Sequence, residues 1–231
     1  MGTYYRGHLF GKDLQRVYDL ASARIAQYLH AELQTVVDQV HGSRRVLELG
    51  CGYGRVLKEL SPHVGRAIGI DTAPASLRFA SSYLRSERNC ELLLMNAVEM
   101  GIGDEQFDAT VCIQNGISAF GVDRSRLVSE AVRVTRVGGL VLFSTYAPEI
   151  WPDRLDWFRS QARAGLIGAI DESRTREGTI VCQDGLRLTT ATREEFRDLF
   201  AGCGQSARIR EIDRSSVFAE VTKTGRAAPL G

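Results

Sequence analysis

Between Asp13 and Val40 the apolar residues Val17, Leu20, Ile25, Tyr28, Leu29, Leu33 and Val37 recur every three or four positions. That spacing predicts an amphipathic helix or a pair of helices. The period then changes. RRVLELG, residues 44–50, is a short apolar run ending in glycine, and RVLKEL, residues 55–60, returns to helical spacing. A strand, a glycine-rich turn and a helix form the start of a βα unit. RAIGID, CELLLMN, FDATVCIQN and GGLVLFSTY continue as strands, with helices at PASLRFASSYLRS and DRSRLVSEAVRVT. Short strands alternating with helices predict a parallel sheet covered on both faces. The near-continuous apolar content of DATVCI and LVLFS marks the doubly buried central strands.

After Tyr146 the rhythm breaks. EIWPDRLDWFRSQARAGL reads as a helix, and TIVCQDGLRLTT as two strands around an Asp-Gly turn. Residues 148–190 are therefore expected to form an insertion, a helix plus hairpin, lying over one edge of the sheet. A helix at residues 193–201 and the strands SARIREI and SVFAEVT close the pattern. The expected architecture is α/β, a Rossmann-like doubly wound sheet. It is mostly parallel with an antiparallel last strand, and carries N-terminal helices and the insertion after the fifth strand. We expect one domain over residues 1–231: a helical cap at 1–43, a core at 44–147, the covering insertion at 148–190 and the closing elements at 191–224.

Charge narrows the functions little but in one direction. Lys plus Arg number 29 against 28 Asp plus Glu, a formal net charge of +1, so no global field draws the chain to a polyanion. The densest basic stretch, Arg154 to Arg176, is interleaved with Asp153, Asp156, Asp171 and Glu172 and reads as a solvated face. No nucleic-acid partner is expected. The five cysteines have no C-x-x-C pair and are expected as free thiols in a reducing compartment. MGTYYRGHLFGKDLQ has no apolar targeting core, and no run approaches the ~18 apolar residues of a membrane span. The expectation is a cytoplasmic chain with no membrane partner. His8, His30, His41 and His63 have no metal-ligand spacing, so no metal is predicted.

VLELGCGYGRVL is the most informative segment. It places Gly50, Gly52 and Gly54 between a strand and a helix, where glycine lets the backbone turn sharply and a ligand approach closely. A dinucleotide fingerprint would need glycine where Arg55 stands. Glu48, two residues before Gly50, would repel a pyrophosphate but suits an ammonium group. Asp71 ends the next strand, where its carboxylate could accept both ribose hydroxyls. S-Adenosylmethionine offers a ribose, an ammonium and a sulfonium, and no phosphate.

On the ExGxGxG match at Glu48, Gly50, Gly52 and Gly54, the chain resembles the class I S-adenosylmethionine-dependent methyltransferases, of the group acting on small molecules. The resemblance implies S-adenosylmethionine as cofactor and S-adenosylhomocysteine as product. By the same resemblance Asp71 holds the ribose and Thr72 lies beside the adenine. Asn96 and Ala97 stand where the family often has an Asp-Ala pair on the adenine edge. Asn96 departs from the usual acid, yet an amide still donates and accepts there. Gln114 matches a position lining the methionine part, and Cys51, inside the turn, is counted with the cofactor loop. An N-terminal segment closes the cofactor site in similar enzymes, a role that falls to Tyr5.

Methyl transfer from a sulfonium is an in-line displacement that depends mainly on positioning, so no catalytic residue is assigned. Ligands in doubly wound sheets sit beyond the carboxyl ends of the strands. Gln114, Asn115 and Tyr146 are there, and Trp151 and Trp157 in the insertion either wall a substrate pocket or pack the covering helix. The expected partner is a small-molecule substrate. Two alternatives stand beside it: methylation of a protein or RNA, and a regulatory protein that binds the cofactor without turnover. Against the first, QNGI after the fourth strand is unlike the Asn/Asp-Pro-Pro-Tyr segment of enzymes that grip a planar amino group.

Overall fold

The computed structural model describes Tyr4 and residues 7–225. The apolar stripe at the start of the chain divides into two helices, α1 (Gly11–Asp19) and α2 (Ala23–Val40). The break comes at Ser22, whose hydroxyl accepts the Ile25 N–H and caps α2. There follow β1 (Arg45–Leu49), α3 (Arg55–Leu60), β2 (Arg66–Asp71), α4 (Pro74–Tyr83), β3 (Cys90–Leu94) and β4 (Phe107–Cys112). The chain continues through α5 (Gly116–Ala119), α6 (Arg124–Val134), β5 (Thr135–Tyr146) and α7 (Trp151–Arg163). A small hairpin, β6 (Ile180–Val181) and β7 (Arg187–Leu188), precedes α8 (Arg193–Ala201), β8 (Arg208–Ile212) and β9 (Ser216–Thr222).

The seven-stranded sheet has the order β3-β2-β1-β4-β5-β9-β8. β1 pairs in parallel with β2 and β4, β2 with β3 and β4 with β5, while β9 runs antiparallel between β5 and β8. The order reverses at β1, so the crevice between β1 and β4 at their carboxyl ends is the natural ligand position. Alternation along each strand builds two cores. Val46, Ala67, Ala109, Val111, Leu142 and Phe218 meet α2, α3 and α4 on one face. Leu47, Ile68, Ile70, Val141, Phe143 and Val217 meet α6 and α8 on the other. The Thr192 capping box, with Glu195, starts α8 where the sequence pattern places it.

The insertion does not lie over a sheet edge as expected; the edges are β3 and β8. It packs instead on the N-terminal helices above the ends of β4 and β5. A third apolar cluster joins Val17, Ile25, Tyr28 and Leu29 to Trp157 and Phe158 of α7 and to Ile180 and Leu188 of the hairpin. The physical reason is that α1 and the start of α2 present apolar side chains, Val17, Ile25, Tyr28 and Leu29, which Trp157, Phe158, Ile180 and Leu188 of the insertion cover. Asn115 fastens its far end, donating from Nδ2 to the Thr189 carbonyl (2.9 Å).

All five cysteines are unpaired. Among the described residues no helix is long and apolar enough to cross a membrane. Leu142 is fully buried at the centre of the sheet. Leu142→Ala is expected to destabilise the fold by about 3 kcal/mol, the scale for a large-to-small core truncation. A urea titration should show a lower midpoint at unchanged slope.

Candidate functional site

The turn after β1 is made possible by glycine. Gly50, Gly52 and Gly54 have φ values of 74°, 53° and 88°, in the left-handed region that side chains with a Cβ avoid. The turn folds back onto β2: the N–H groups of Gly50 and Cys51 donate to the Ile70 carbonyl (2.8 and 3.0 Å), and that of Gly52 to Asp71 Oδ2 (2.9 Å). The other Asp71 oxygen accepts the Ala73 N–H (2.8 Å). Asp71 therefore braces the turn as well as facing the cavity. Burial nevertheless pushes its carboxyl above the usual range, against these N–H groups.

The cavity over this turn measures about 160 Å³. That is below the ~300–1,000 Å³ of a typical small-ligand pocket. The chain's own side chains account for the deficit. A Cβ on Gly50 would overlap the Phe120 ring, and one on Gly52 would lie 2.8 Å from Leu14 Cδ2 of α1. The space that the glycines clear is thus filled by α1 and by the residue after α5. α1 is held down by Tyr18, whose hydroxyl donates to Gln114 Oε1 (2.8 Å), and by Trp157, whose Nε1 donates to the Val17 carbonyl (2.9 Å).

Glu48, Cys51, Thr72 and Gln114 also line this cavity, as do Tyr146 and Trp157. Gln114 and Asn115 are both in the left-handed backbone region, at φ 55° and 61°. Two successive side-chain-bearing residues are thus held in a sparsely populated backbone region at the cavity wall. Asn115 itself is occupied: its Oδ1 accepts the Thr145 hydroxyl (2.8 Å) and its Nδ2 reaches Thr189. Asn96 and Ala97 stand outside the cavity wall, Asn96 accepting the Val98 N–H and Ala97 packed in the core. Cys51 is buried against Gly69, and burial holds its thiol well above the ordinary value. Trp151 lines a second groove of about 640 Å³, which shares Tyr146 with the first cavity. Tyr5 lies outside the described residues.

Arg55 and Glu32 at the cleft escaped the sequence reading, whereas Glu48 beside them was named by it. Arg55, the first residue of α3, is carried inward, its guanidinium 4.7 Å from the Tyr18 ring centre and within the fields of Glu32 and Glu48. Its Nε and Nη2 have no hydrogen-bond partner. Glu48 is buried with Oε2 unpartnered, and burial pushes its carboxyl up to about 8. Glu32 did carry a signal: it is a charge on the buried stripe of α2, flanked by Tyr28, Leu29, Leu33 and Val36. Among the described residues no cluster of His, Cys, Asp and Glu could hold a metal ion.

Residues 46–139 match a family of methyltransferase domains. The chain is 30% identical over 131 residues to the malonyl-[acyl-carrier protein] O-methyltransferase of Yersinia pestis, covering 56% of this chain and 46% of that one. It is 30% identical over 104 residues to the ubiquinone biosynthesis O-methyltransferase of Alkalilimnicola ehrlichii, covering 44% and 41%. The chain thus spans less than half the length of these curated relatives. Among solved structures, a SAM-dependent methyltransferase from Aquifex aeolicus superposes with a TM-score of 0.63 at 13% identity, over 91% of this chain and 98% of that one. The N-methyltransferase NodS from Bradyrhizobium japonicum, solved with S-adenosylhomocysteine, gives 0.57 at 14% identity over 91% and 98%. At these identities the superpositions speak for the fold. With the glycine turn, the acid at the end of β2 and the sheet order in agreement, residues 46–139 match the methyltransferase-domain family, and the chain shares the fold of these solved methyltransferases.

Proposed function

We propose that this chain binds S-adenosylmethionine over the Gly50–Gly54 turn and transfers its methyl group to a small-molecule acceptor, releasing S-adenosylhomocysteine. The observation that carries the reading is a pair of buried polar atoms without partners, Glu48 Oε2 and Gln114 Nε2, on residues lining one cavity above the glycine turn. Buried polar atoms are partnered in more than about 90% of cases, so two orphans at one cavity point to a ligand that completes them. One is an acceptor for an ammonium and the other a donor for a carboxylate, the two poles of an amino-acid end.

S-Adenosylmethionine supplies a methyl group on a positively charged sulfur, open to in-line displacement. The chain's task is to orient and enclose. Asp71 has lone pairs beyond those given to Gly52 and Ala73, enough to accept ribose hydroxyls. Thr72, Asn96 and Ala97 are assigned to the adenine side, Cys51 to the turn itself and Tyr5 to the closing segment. Leu14 and Phe120 withdraw to make room. The acceptor is assigned to the side of Tyr146, with Asn115 setting the wall and Trp151 and Trp157 contributing apolar surface. Two curated relatives named for O-methyl transfer support the reaction class. The small-molecule reading draws on the balanced charge and the enclosed cavity.

Incubation with methyl-labelled S-adenosylmethionine and a cell extract tests the whole reading: label in a small product supports it, and label only in protein or RNA overturns the small-molecule half. Asp71→Ala is expected to weaken S-adenosylmethionine binding by ~1.5–3 kcal/mol, the scale of charge-assisted hydrogen bonds. Unchanged affinity in a calorimetric titration removes Asp71 from the site.

The buried acids also set a pH dependence. Glu48 and Glu32 are pushed up from 4.5 to about 8 and about 7 by burial. The folded chain therefore keeps protons that the unfolded chain has lost, and this stabilising contribution is full below pH 4.5 and lost as pH rises through about 8. Thermal melts should show Tm falling across that window, and Glu48→Gln, which cannot ionise, should flatten the fall. An identical profile in Glu48→Gln would contradict a neutral buried acid at that position.

A further inference from the structure

Among the described residues Arg55 is the only cation lining the cofactor cavity, and the cofactor reading gives it no role. It stands where a dinucleotide fingerprint has its third glycine. Its Nε and Nη2 are buried and have no hydrogen-bond partner. Those two nitrogens form one edge of the guanidinium, with their N–H bonds side by side, the edge that holds a carboxylate through two parallel hydrogen bonds. The Tyr18 ring lies against the guanidinium, its centre 4.7 Å from the central carbon. Contact with a ring face spends none of the in-plane donors.

The chain does not satisfy this edge itself. Glu32 and Glu48 act on Arg55 through their fields, yet each keeps Oε2 unpartnered. Gln114 spends its Oε1 on the Tyr18 hydroxyl and leaves Nε2 unpartnered on the same cavity, as does Gln161 of α7. The two amides offer single, neutral donors. Arg55 alone offers a charged pair, and a buried charged donor left open costs more than a neutral one. S-Adenosylmethionine has one anionic group, the carboxylate of its amino-acid end. The cavity has one cation to meet it.

We propose that Arg55 binds this carboxylate side-on and makes the site selective for ligands that carry it. The inference rests on the S-adenosylmethionine reading and adds the residue that recognises the acid. A carboxylate has about four lone-pair sites, enough for the Arg55 edge and for Gln114 Nε2 together. Glu48 Oε2 then serves the ammonium on the neighbouring carbon. Tyr18, on the covering helix α1, touches both Arg55 and Gln114, so the ring beside the guanidinium also shields the pair from water. Shielding strengthens such a pair. A lysine here would supply the charge without the edge.

Calorimetric titrations of the full chain with S-adenosylhomocysteine and with its decarboxylated analogue test this. The analogue keeps the adenosine, the sulfur and the ammonium, and lacks only the carboxylate. The unsubstituted chain should favour S-adenosylhomocysteine by about 100-fold, and Arg55→Gln should bind it about 30-fold more weakly. The analogue is a cation, so Arg55→Gln should bind it as well as the parent does or better, a like charge having been removed. Arg55→Lys should lose about tenfold for S-adenosylhomocysteine alone, and it carries the comparison should Arg55→Gln fail to fold. The proposal is overturned if the unsubstituted chain shows no preference between the two ligands. It is also overturned if the Arg55 variants lose equally for both, as a general support of the pocket would, or keep full affinity for S-adenosylhomocysteine. Binding of neither ligand by the unsubstituted chain would overturn the S-adenosylmethionine reading itself, and this inference with it.

Discussion

The turn between β1 and α3 reverses the chain within five residues at the carboxyl end of the sheet, and its amide groups have to be satisfied while it does so. Three successive donors are used on β2: two on the Ile70 carbonyl and one on the Asp71 carboxylate. That arrangement forces left-handed backbone at Gly50, Gly52 and Gly54. It also sets where α3 begins, and so brings Arg55 inward, within the fields of Glu32 and Glu48. The floor of the cleft, the acid beside it and the cation above it follow from one set of hydrogen bonds.

Above that floor the molecule buries two carboxylates and a guanidinium at the rim of an apolar sheet. Removing each ion from water costs several kcal/mol, and mutual attraction offsets that only where geometry is good. Here it is not: Arg55 meets its acids without hydrogen bonds through Nε or Nη2, and Glu32 and Glu48 each keep one oxygen unpartnered. The acids respond by holding their protons toward neutral pH. The cover over this layer, α1 and α7, is apolar and fastened by polar contacts that include Tyr18 to Gln114, Trp157 to Val17 and the Gly11 N–H to the Ser76 hydroxyl.

Tyr146 connects the two halves of the site. Its hydroxyl belongs to the buried layer, its ring carries Arg154, and its surface borders both cavities. β5 can present it there because β9 covers the far side of the strand from Leu140 to Tyr146. The same pairing delivers Ser144 and Ser216 to Glu32.

How much of this could be read in advance follows from the range of the forces involved. Strand and helix alternation, the split between the two core faces and the glycine turn are written in periods of two to seven residues, and the strands and helices formed close to where those periods place them. Asp71 was legible for the same reason: it ends a strand whose place beside β1 follows from the βα pattern. The docking of residues 148–190 on the N-terminal helices was not, since nothing local says which apolar face another will cover. The burial of Glu32 showed as a charge on an apolar stripe, but its partners Ser144 and Ser216 lie more than a hundred residues away. Phe120 and Leu14 over the glycines have no local signature at all. The sequence by itself determined the sheet, the turn and the acid beneath the cleft, because backbone geometry and side-chain period are local. Only the tertiary structure decided which side chains fill the cleft and where its charges are buried, because burial depends on contacts between segments that meet only after the chain has folded.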